Sequence, residues 1–364
     1  MRIKSLMRGA VGCMLLLSML SATGCASEQQ EQNITIAVIC KNKNKDEYWD
    51  SVRQACDDAE SEMKVNIMQL SPDVEDVDQQ IANINEAVAA GVDAIVLAAI
   101  DPDAENEALS KANSAGISVL TIDSDVTYDG RACYIGTQNA SAAAIAARSA
   151  KEILQNDGTI GIVHHGDTST SNLRMNGFIQ EINPPEDEKA DKPAGAGSKP
   201  NNSHQENSSE VSDESNAKSA SSDVNIKIFE PLNGEGDMEI SKDQVKKLIT
   251  EQHVNLVYAT NQPGTRGACE AIEELIEAGT IQPDEVQLVG FDYFSGAYDY
   301  ITSGILDAVI VQNPYNMGYM GVRTARSLIQ GEQVQPSIDT GAVLVTADNI
   351  NEEYIQFLVN PSGN

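Results

Sequence analysis

The chain contains 364 residues, of which 41% are hydrophobic, and this length and composition suit two globular lobes better than one core. It carries 55 Asp and Glu residues against 24 Lys and Arg residues, so its formal net charge is −31. Because a charge of this sign repels nucleic-acid phosphates, we expect no nucleic-acid partner.

The N-terminal residues 1–24 predict a signal peptide. Arg2, Lys4 and Arg8 form a basic region, and an apolar run, "AVGCMLLLSML" (10–20), follows it. This run is too short to span a bilayer comfortably and is typical of the hydrophobic region of an export signal.

The residues around Cys25 resemble a bacterial lipoprotein signal, in which the cysteine is lipidated and becomes the first residue. The usual leucine three places earlier is replaced by Ala22, so an ordinary secretory signal cut near Ala22 or Ala26 stays open as the alternative. Residues 25–33 are polar and are predicted to form a tether. We therefore expect an extracytoplasmic protein that touches the outer face of the cell membrane only through its lipid.

Four further cysteines, Cys40, Cys56, Cys133 and Cys269, form no CxxC pair and have no histidine at ligand spacing. Buried thiols are the default expectation, and one disulfide stays open. The adjacent histidines at 164–165 point to opposite faces of a strand and therefore predict no metal site. We expect neither a metal nor a cofactor.

From residue 34 onward, strand and helix patterns alternate. Continuous apolar runs are typical of strands that are covered on both faces, whereas Trp49, Val52 and Cys56 repeat at helical spacing. The first half predicts strands at 34–40, 65–70, 94–100, 118–123 and 133–137, and helices at 46–63, 77–91 and 103–114.

The second half repeats this plan. It predicts helices at 139–155, 170–182, 238–252 and 263–278, and strands at 159–165, 225–230, 256–261 and 286–292. Alternation of this kind indicates doubly wound parallel sheets with right-handed crossovers, and two such halves indicate two α/β lobes.

Residues 184–223 do not fit the alternation. The segment is rich in Ser, Asn, Asp, Glu and Lys and holds few apolar side chains, so it cannot bury enough surface to offset the entropy of ordering. We expect a disordered insertion in a surface connection, which a closed loop tolerates at small cost.

One long stretch, "VGFDYFSGAYDYITSGILDAVIVQNPYNMGYMGV" (289–322), resembles the C-terminal signature of periplasmic sugar-binding proteins of the ribose-binding type. Four earlier stretches match that family in the same order and spacing: "KDEYWDSVRQAC" (45–56), "AGVDAIVLAAIDPDA" (90–104), "VLTIDSD" (119–125) and "YIGTQNASAAAIAA" (134–147). These proteins are the type I solute-binding proteins of ABC importers.

The resemblance implies the periplasmic binding protein-like I fold, in which two lobes are joined by a three-segment hinge and close on a ligand. The N-terminal lobe would comprise residues 34–137 and 313–341. The C-terminal lobe would comprise residues 138–312 and 342–364, with the insertion inside it.

Polar residues that end strands are the candidates for ligand contact, because ligands of open α/β sheets bind outside the carboxyl ends of the strands. The resemblance implies eight ligand-binding residues: Tyr48, Trp49, Asp123, Thr137, Arg174, Asn261, Asp292 and Gln312. Cys40 and Asp46 are further candidates. Carboxylates, amides and a guanidinium suit sugar hydroxyls, and aromatic faces suit the apolar side of a sugar ring.

Alternative roles stay open for three of these residues. Asp292 and Asn261 each precede a predicted helix and could serve as its N-cap, and Trp49 could belong to the core.

The sequence also departs from the family pattern, since Ser124 stands where several sugar binders carry an arginine. A loss of that cation predicts an unusually acidic cleft, so an amino sugar, a polyol or another cationic ligand is an alternative to a neutral monosaccharide.

The function predicted from these residues is capture of a small polar solute, preferably a monosaccharide, and its delivery to ABC permease subunits by a monomer. A sensor that reports the closed form to a membrane kinase or chemoreceptor is the alternative. An enzyme acting between Asp123 and Asp292 is disfavoured, because neither acid lies in a motif that activates water or a nucleophile.

Overall fold

The computed structural model describes residues 33–43, 47–166, 168–184 and 224–359. The predicted signal peptide, the lipidation site Cys25 and the candidate Asp46 lie outside these residues, as does the predicted insertion except for its first residue, Pro184. Across the described ranges, every helix is too short or too polar to cross a membrane.

The first lobe is built on a six-stranded parallel sheet in the order β2-β1-β3-β4-β5-β12. Its elements are β1 (Thr35–Ile39), α1 (Glu47–Met63), β2 (Asn66–Leu70), α2 (Val77–Ala90), β3 (Ala94–Leu97), α3 (Asn106–Ser114), β4 (Ser118–Ile122), β5 (Cys133–Gly136), α9 (Pro314–Ile329) and β12 (Ser337–Asp339).

The second lobe is built on a mostly parallel sheet in the order β7-β6-β9-β10-β11-β13, in which β13 is antiparallel to β11 and the short β8 pairs with β6. Its elements are α4 (Asn139–Ile153), β6 (Asp157–His164), α5 (Ser169–Ile182), β7 (Asn225–Ile228), β8 (Leu232–Asn233), α6 (Met238–Thr250), β9 (Leu256–Ala259), α7 (Gln262–Glu277), β10 (Gln287–Phe291), α8 (Ala297–Ser303), β11 (Ala308–Gln312), β13 (Ala342–Val345) and α10 (Glu353–Val359).

Helices cover both faces of each sheet. In the first lobe, α1 and α9 meet one face at Val52 and Val322, while α2 and α3 meet the other at Ile84 and Leu109. In the second lobe, α4 and α5 pack around the fully buried Phe178. Each such aliphatic or aromatic side chain contributes about 1.5–3 kcal/mol on burial. The predicted fold of two doubly wound α/β lobes is confirmed.

The chain crosses between the lobes three times, after β5, after β11 and between β12 and β13. The first and third crossings are hydrogen-bonded to each other. The Thr137 hydroxyl donates to the Gly341 carbonyl at 3.3 Å, and the Thr340 amide donates to the Gly136 carbonyl at 3.0 Å. These contacts hold the first and third crossing segments together in the hinge.

Candidate functional site

A cavity of about 400 Å³ lies between the carboxyl ends of the two sheets and is lined by residues of both lobes. Its volume falls within the range of small-molecule sites. Seven of the predicted residues line it: Tyr48, Trp49, Asp123, Arg174, Asn261, Asp292 and Gln312.

Asp123 follows β4 directly and brings a buried carboxylate from the first lobe. The Tyr48 hydroxyl donates to Oδ1 at 2.7 Å, and the Ser124 hydroxyl donates to Oδ2 at 2.7 Å. The Lys41 ammonium lies 3.4 Å from Oδ2. The Tyr134 hydroxyl donates to the Asp123 carbonyl at 2.9 Å, so both the side chain and the backbone are held in place.

Asp292 follows β10 and is the counterpart of Asp123 in the second lobe. Arg174 Nη1 donates to Oδ2 at 3.2 Å, and Gln312 Nε2 donates to Oδ1 at 2.7 Å. Each carboxylate oxygen thus has one protein donor and keeps further lone pairs for hydroxyl groups of a ligand.

Arg174 is held in place by hydrogen bonds and by an aromatic ring. Its Nε donates to Asn139 Oδ1 at 2.8 Å, and its Nη1 donates to the Thr260 carbonyl at 3.0 Å. The guanidinium carbon lies 3.8 Å from the centroid of the Phe291 ring, which adds a cation–π contact. A planar fork that is held this way loses little freedom when it binds a ligand oxygen.

The pKa values of the two aspartates shift in opposite directions. Burial raises the pKa of Asp292 above its usual range, because Arg174 and an amide donor offset only part of the lost solvation. Burial acts on Asp123 as well, but the Lys41 ammonium and two hydroxyl donors outweigh it and lower the pKa of that carboxyl. Asp123 therefore stays ionised to lower pH than Asp292.

The predicted aromatic pair lies at the start of α1. The rings of Tyr48 and Trp49 meet edge to face, with centroids 5.0 Å apart and an interplanar angle of 77°. Trp49 lines the cavity and also packs with Val52 and Cys56 in the core, so both of its proposed roles describe its position.

Asn261 also combines its two proposed roles. Its Oδ1 accepts from the Gly264 amide at 3.0 Å and caps α7, while its side chain lines the cavity and offers the amide nitrogen as a donor. Asp292 caps no helix, because α8 begins only at Ala297 and Gly296 occupies its N-cap.

Two candidates lie away from the cavity lining. Thr137 is on the first hinge crossing, because β5 ends one residue earlier. The Thr137 hydroxyl donates to the Gly341 carbonyl and not into the cavity. Cys40 is buried in the core, where its amide donates to Ser71 Oγ at 3.2 Å. Within the described chain, Cys40, Cys56, Cys133 and Cys269 form no disulfide.

Sequence reasoning missed Lys41, which supplies a cation beside Asp123 where the sequence predicts that one is lost. Lys41 comes just after β1, so the rule that selected the other strand ends could have found it. Sequence reasoning also missed other lining residues, which lie in loops after strands or near the starts of helices: Glu75, Asp101, Asp125, His165, Thr168, Ser169, Thr170, Glu235 and Gln262.

The lining combines carboxylates, amides, hydroxyls, two cations and an aromatic pair. Carboxylates accept hydrogen bonds from vicinal hydroxyls, cations donate to hydroxyl or ring oxygens, and aromatic rings cover apolar C–H faces. In the described ranges, the His, Cys, Asp and Glu side chains form no group of three that could hold a metal ion. The arrangement can therefore bind a polar solute through hydrogen bonds from both lobes.

A family model described as "Periplasmic binding protein domain" matches residues 36–333. The chain is 23% identical over 328 residues to the ribose import binding protein of Escherichia coli (strain K12), covering 90% of this chain and 94% of that protein. The family model and this relative are both described as binding proteins and not as enzymes.

Solved structures of solute-binding proteins from ABC transporters share the fold. One from Agrobacterium vitis with bound D-fucose has a TM-score of 0.72 and 26% identity, covering 89% of this chain and 99% of that chain. Another from Agrobacterium vitis, bound with α-D-tagatopyranose, has a TM-score of 0.72 and 20% identity, covering 89% and 98%. The expected resemblance to the ribose-binding type is confirmed, and the chain belongs to the periplasmic binding protein domain family.

Proposed function

We propose that this protein captures a neutral monosaccharide in the cleft between its lobes. The observation that carries the proposal is that one cavity is lined by an acid–base pair from each lobe, Asp123 with Lys41 and Asp292 with Arg174. Each pair offers acceptors and donors to neighbouring hydroxyls while its charges offset each other. The two pairs therefore suit the hydroxyl groups of a sugar.

The relatives support the same class of ligand. The solved structures with this fold include proteins with bound tagatose, fucose and arabinose, and the Escherichia coli relative is a ribose import binding protein. Pentoses and hexoses both occur among them, so a screen for the ligand of this chain has to include both.

Binding would proceed by closure of the lobes, residues 34–137 with 313–341 against residues 138–312 with 342–364. A ligand that touches both acid–base pairs gains those contacts only in the closed form, and this difference in affinity shifts the population toward closure. The hydrogen-bonded hinge crossings would guide that motion.

The structural relatives belong to ABC transporters, and this supports delivery of the sugar to an ABC permease. In this role the protein would act as a monomer, and the closed form would dock on permease subunits in the membrane. We propose that lipidation of Cys25 keeps the protein at the outer face of the cell membrane, since export and anchoring place the protein beside such a permease.

The binding proposal is tested by isothermal titration with D-ribose, D-arabinose, D-allose, D-fucose and D-tagatose. For the tightest of these sugars, Asp292→Asn should weaken Kd about 10- to 100-fold, because it removes a charged acceptor of ligand hydroxyls. Asp284→Asn is the matched control, since Asp284 has a similar backbone φ of 64° but is exposed. No binding of any of the five sugars to the unmodified protein would refute the proposal.

A further inference from the structure

Glu105 brings a fully buried carboxyl close to the cavity without lining it. The residue directly precedes α3, and its Oε1 accepts from the Asp101 amide at 3.2 Å. Its Oε2 has no hydrogen-bond partner among the described residues, and burial raises the pKa of the carboxyl. A side chain present only for packing would avoid these costs by being apolar, so the role of the carboxyl has to be sought in its contact with Asp101.

The amide that donates to Glu105 belongs to the wall of the cavity. Ile100, Asp101 and Pro102, which we call the wall segment, all line the cavity and follow β3, beyond the point where the sheet holds the backbone. The Ile100 amide donates to Gln80 Oε1 at 3.0 Å, and the next amide donates to Glu105. Buried side chains on α2 and at the start of α3 thus hold two consecutive amides of the wall segment.

The two side chains that anchor the wall segment differ in their other contacts. Gln80 Nε2 also donates to the carbonyls of Cys40 and Ala98, at 3.3 and 3.0 Å, so Gln80 ties the ends of β1 and β3 together as well. The Glu105 carboxyl instead interacts with backbone amides of the wall segment and of its own residue. A change at Glu105 therefore acts mainly on the wall segment, whereas a change at Gln80 would also disturb the ends of two strands.

The wall segment sets the width of the cleft on the side of β3. The two residues that follow β3, Ala98 and Ala99, are buried and have small side chains, so the bulk of the wall on this side comes from the wall segment. Asp101 Oδ1 accepts from the amides of Asp103 and Ala104 at 2.9 Å each, which folds the segment into a compact turn. A turn of fixed shape moves as a unit, so its anchor at the start of α3 determines how far it projects into the cleft.

We propose that Glu105 is a positioning residue for ligand recognition: through the Asp101 amide it holds the wall segment where the segment selects sugars by size. The inference rests on the proposed function and adds to it a residue that sets specificity without contacting the ligand. A firmly held wall distinguishes a sugar from one with an added substituent, whereas a loose wall yields to either. The pyranose form of D-allose is that of D-ribose with an added hydroxymethyl group, so this pair of sugars tests selection by size.

The test compares Glu105→Gln, Glu105→Met and Glu107→Met by isothermal titration with D-ribose and D-allose. Glu105→Met keeps the length of the side chain and loses the acceptor, so it should weaken Kd for the preferred sugar about fivefold or more and bring the two Kd values closer together. Glu105→Gln keeps an acceptor for the Asp101 amide and should retain both Kd values within about twofold. Glu107→Met is the matched control and should change neither, because Glu107 is 85% exposed and pairs with Lys111.

Hydrogen exchange of the ligand-free protein measures the anchor directly. In Glu105→Met, a peptide covering residues 98–104 should exchange faster than in the unmodified protein, whereas a peptide covering residues 118–124 should not. Glu105→Ala, which removes the acceptor without adding apolar bulk, takes the place of Glu105→Met in both measurements if thermal melting shows that the Met variant does not fold.

A purely structural role for Glu105 would lower the melting temperature and leave the ratio of the two Kd values unchanged. An unchanged ratio, or equal losses in Glu105→Gln and Glu105→Met, would overturn the inference and leave sugar binding intact. The unmodified protein should prefer one of the two sugars, and no preference between them, including no binding of either, would also overturn the inference. If none of the five sugars named above binds, the proposed function fails as well.

Discussion

Asp123 and Asp292 share an uncommon backbone conformation, with φ of 59° and 70°. Each follows the last residue of a buried strand, at the point where the backbone turns toward the cleft. Aspartate tolerates positive φ better than most residues, and such conformations concentrate at functional sites. Replacement by asparagine therefore isolates the role of the charge, whereas alanine would add backbone strain to the loss of a ligand contact.

A third aspartate, Asp307, gives a prediction about stability. Its Oδ2 accepts from the Leu288 amide at 2.8 Å, and burial raises its pKa to about 6. The folded state thus binds the proton more tightly than the unfolded state, in which the pKa is about 3.9. Its contribution to stability is fully present below about pH 4 and is lost as the pH rises through 6.

Asp307→Asn keeps an acceptor oxygen for Leu288 without the buried charge. We expect this variant to raise the free energy of unfolding at pH 7.5 by about 1–2 kcal/mol and to have little effect at pH 4. Urea unfolding of the variant and the unmodified protein at the two pH values measures both changes in the free energy of unfolding. Asp348→Asn controls for the change in net charge, because Asp348 is exposed. Equal gains at both pH values would rule out a role for the buried carboxyl.

At the residue scale, the strand-end acids and amides lie at the cavity as the topology of the sheet predicts, and their contact with a ligand stays a prediction. The sequence does not show that the Thr137 hydroxyl turns toward Gly341, because this contact depends on the fold of the hinge. The same strand-end rule would have selected Lys41, but its pairing with Asp123 is visible only in the folded chain.

In each of three helix pairs, a glycine lies where the backbones of the two helices come close together. A Cβ on Gly177 of α5 would lie 2.6 Å from the Ala140 carbonyl oxygen of α4, and one on Gly267 of α7 would lie 2.5 Å from the Met238 carbonyl oxygen of α6. On α9, a Cβ on Gly318 would lie 2.7 Å from the carbonyl oxygen of Val52 on α1. These are backbone atoms, so the helices would have to separate to admit a side chain.

Gly318→Ala should therefore destabilise the protein by about 2 kcal/mol, as overpacking commonly does. Helix α1 carries Tyr48 in its first turn, and helix α9 begins two residues after Gln312. Separation of these helices would displace both cavity residues, so affinity for the sugar should also fall. Urea unfolding and titration measure the two effects. Arg323→Ala, at an exposed position of α9, is the control and should change neither.

At the scale of elements, long patterned segments are predicted to within a few residues. The helix predicted at 77–91 is α2, which ends at Ala90 with Gly91 as a left-handed C-cap at φ 70°. Patterning predicts neither β12 nor β13, since strands of three and four residues are too short to show a period. Their places are fixed by pairing with β5 and β11.

On the scale of the whole molecule, the proposed location at the membrane depends on Cys25, which lies outside the described chain. Cys25→Ala should release the exported protein from the membrane into the soluble fraction, because a lipid chain needs that thiol. Fractionation of cells, with metabolic labelling by a fatty acid, measures the outcome. Cys13→Ala is the control, because Cys13 lies in the apolar part of the predicted signal. Retention of the Cys25 variant in membranes without label would contradict the anchor.

The two-lobe architecture is predictable from alternation of strands and helices, whereas the form of the cleft is not. Its lining brings together residues from separate lobes, such as Tyr48 and Arg174, and their approach depends on the hinge and not on any local pattern. The ion pair of Lys41 with Asp123 likewise emerges only in the folded chain.

Trp49 is the only tryptophan in the chain, and it lies in the wall of the cleft with its ring 5.0 Å from that of Tyr48. All indole fluorescence of this protein therefore originates at the place where the sugar is proposed to bind. A shift in emission during a titration reports occupancy directly, without a dye and without background from elsewhere in the molecule.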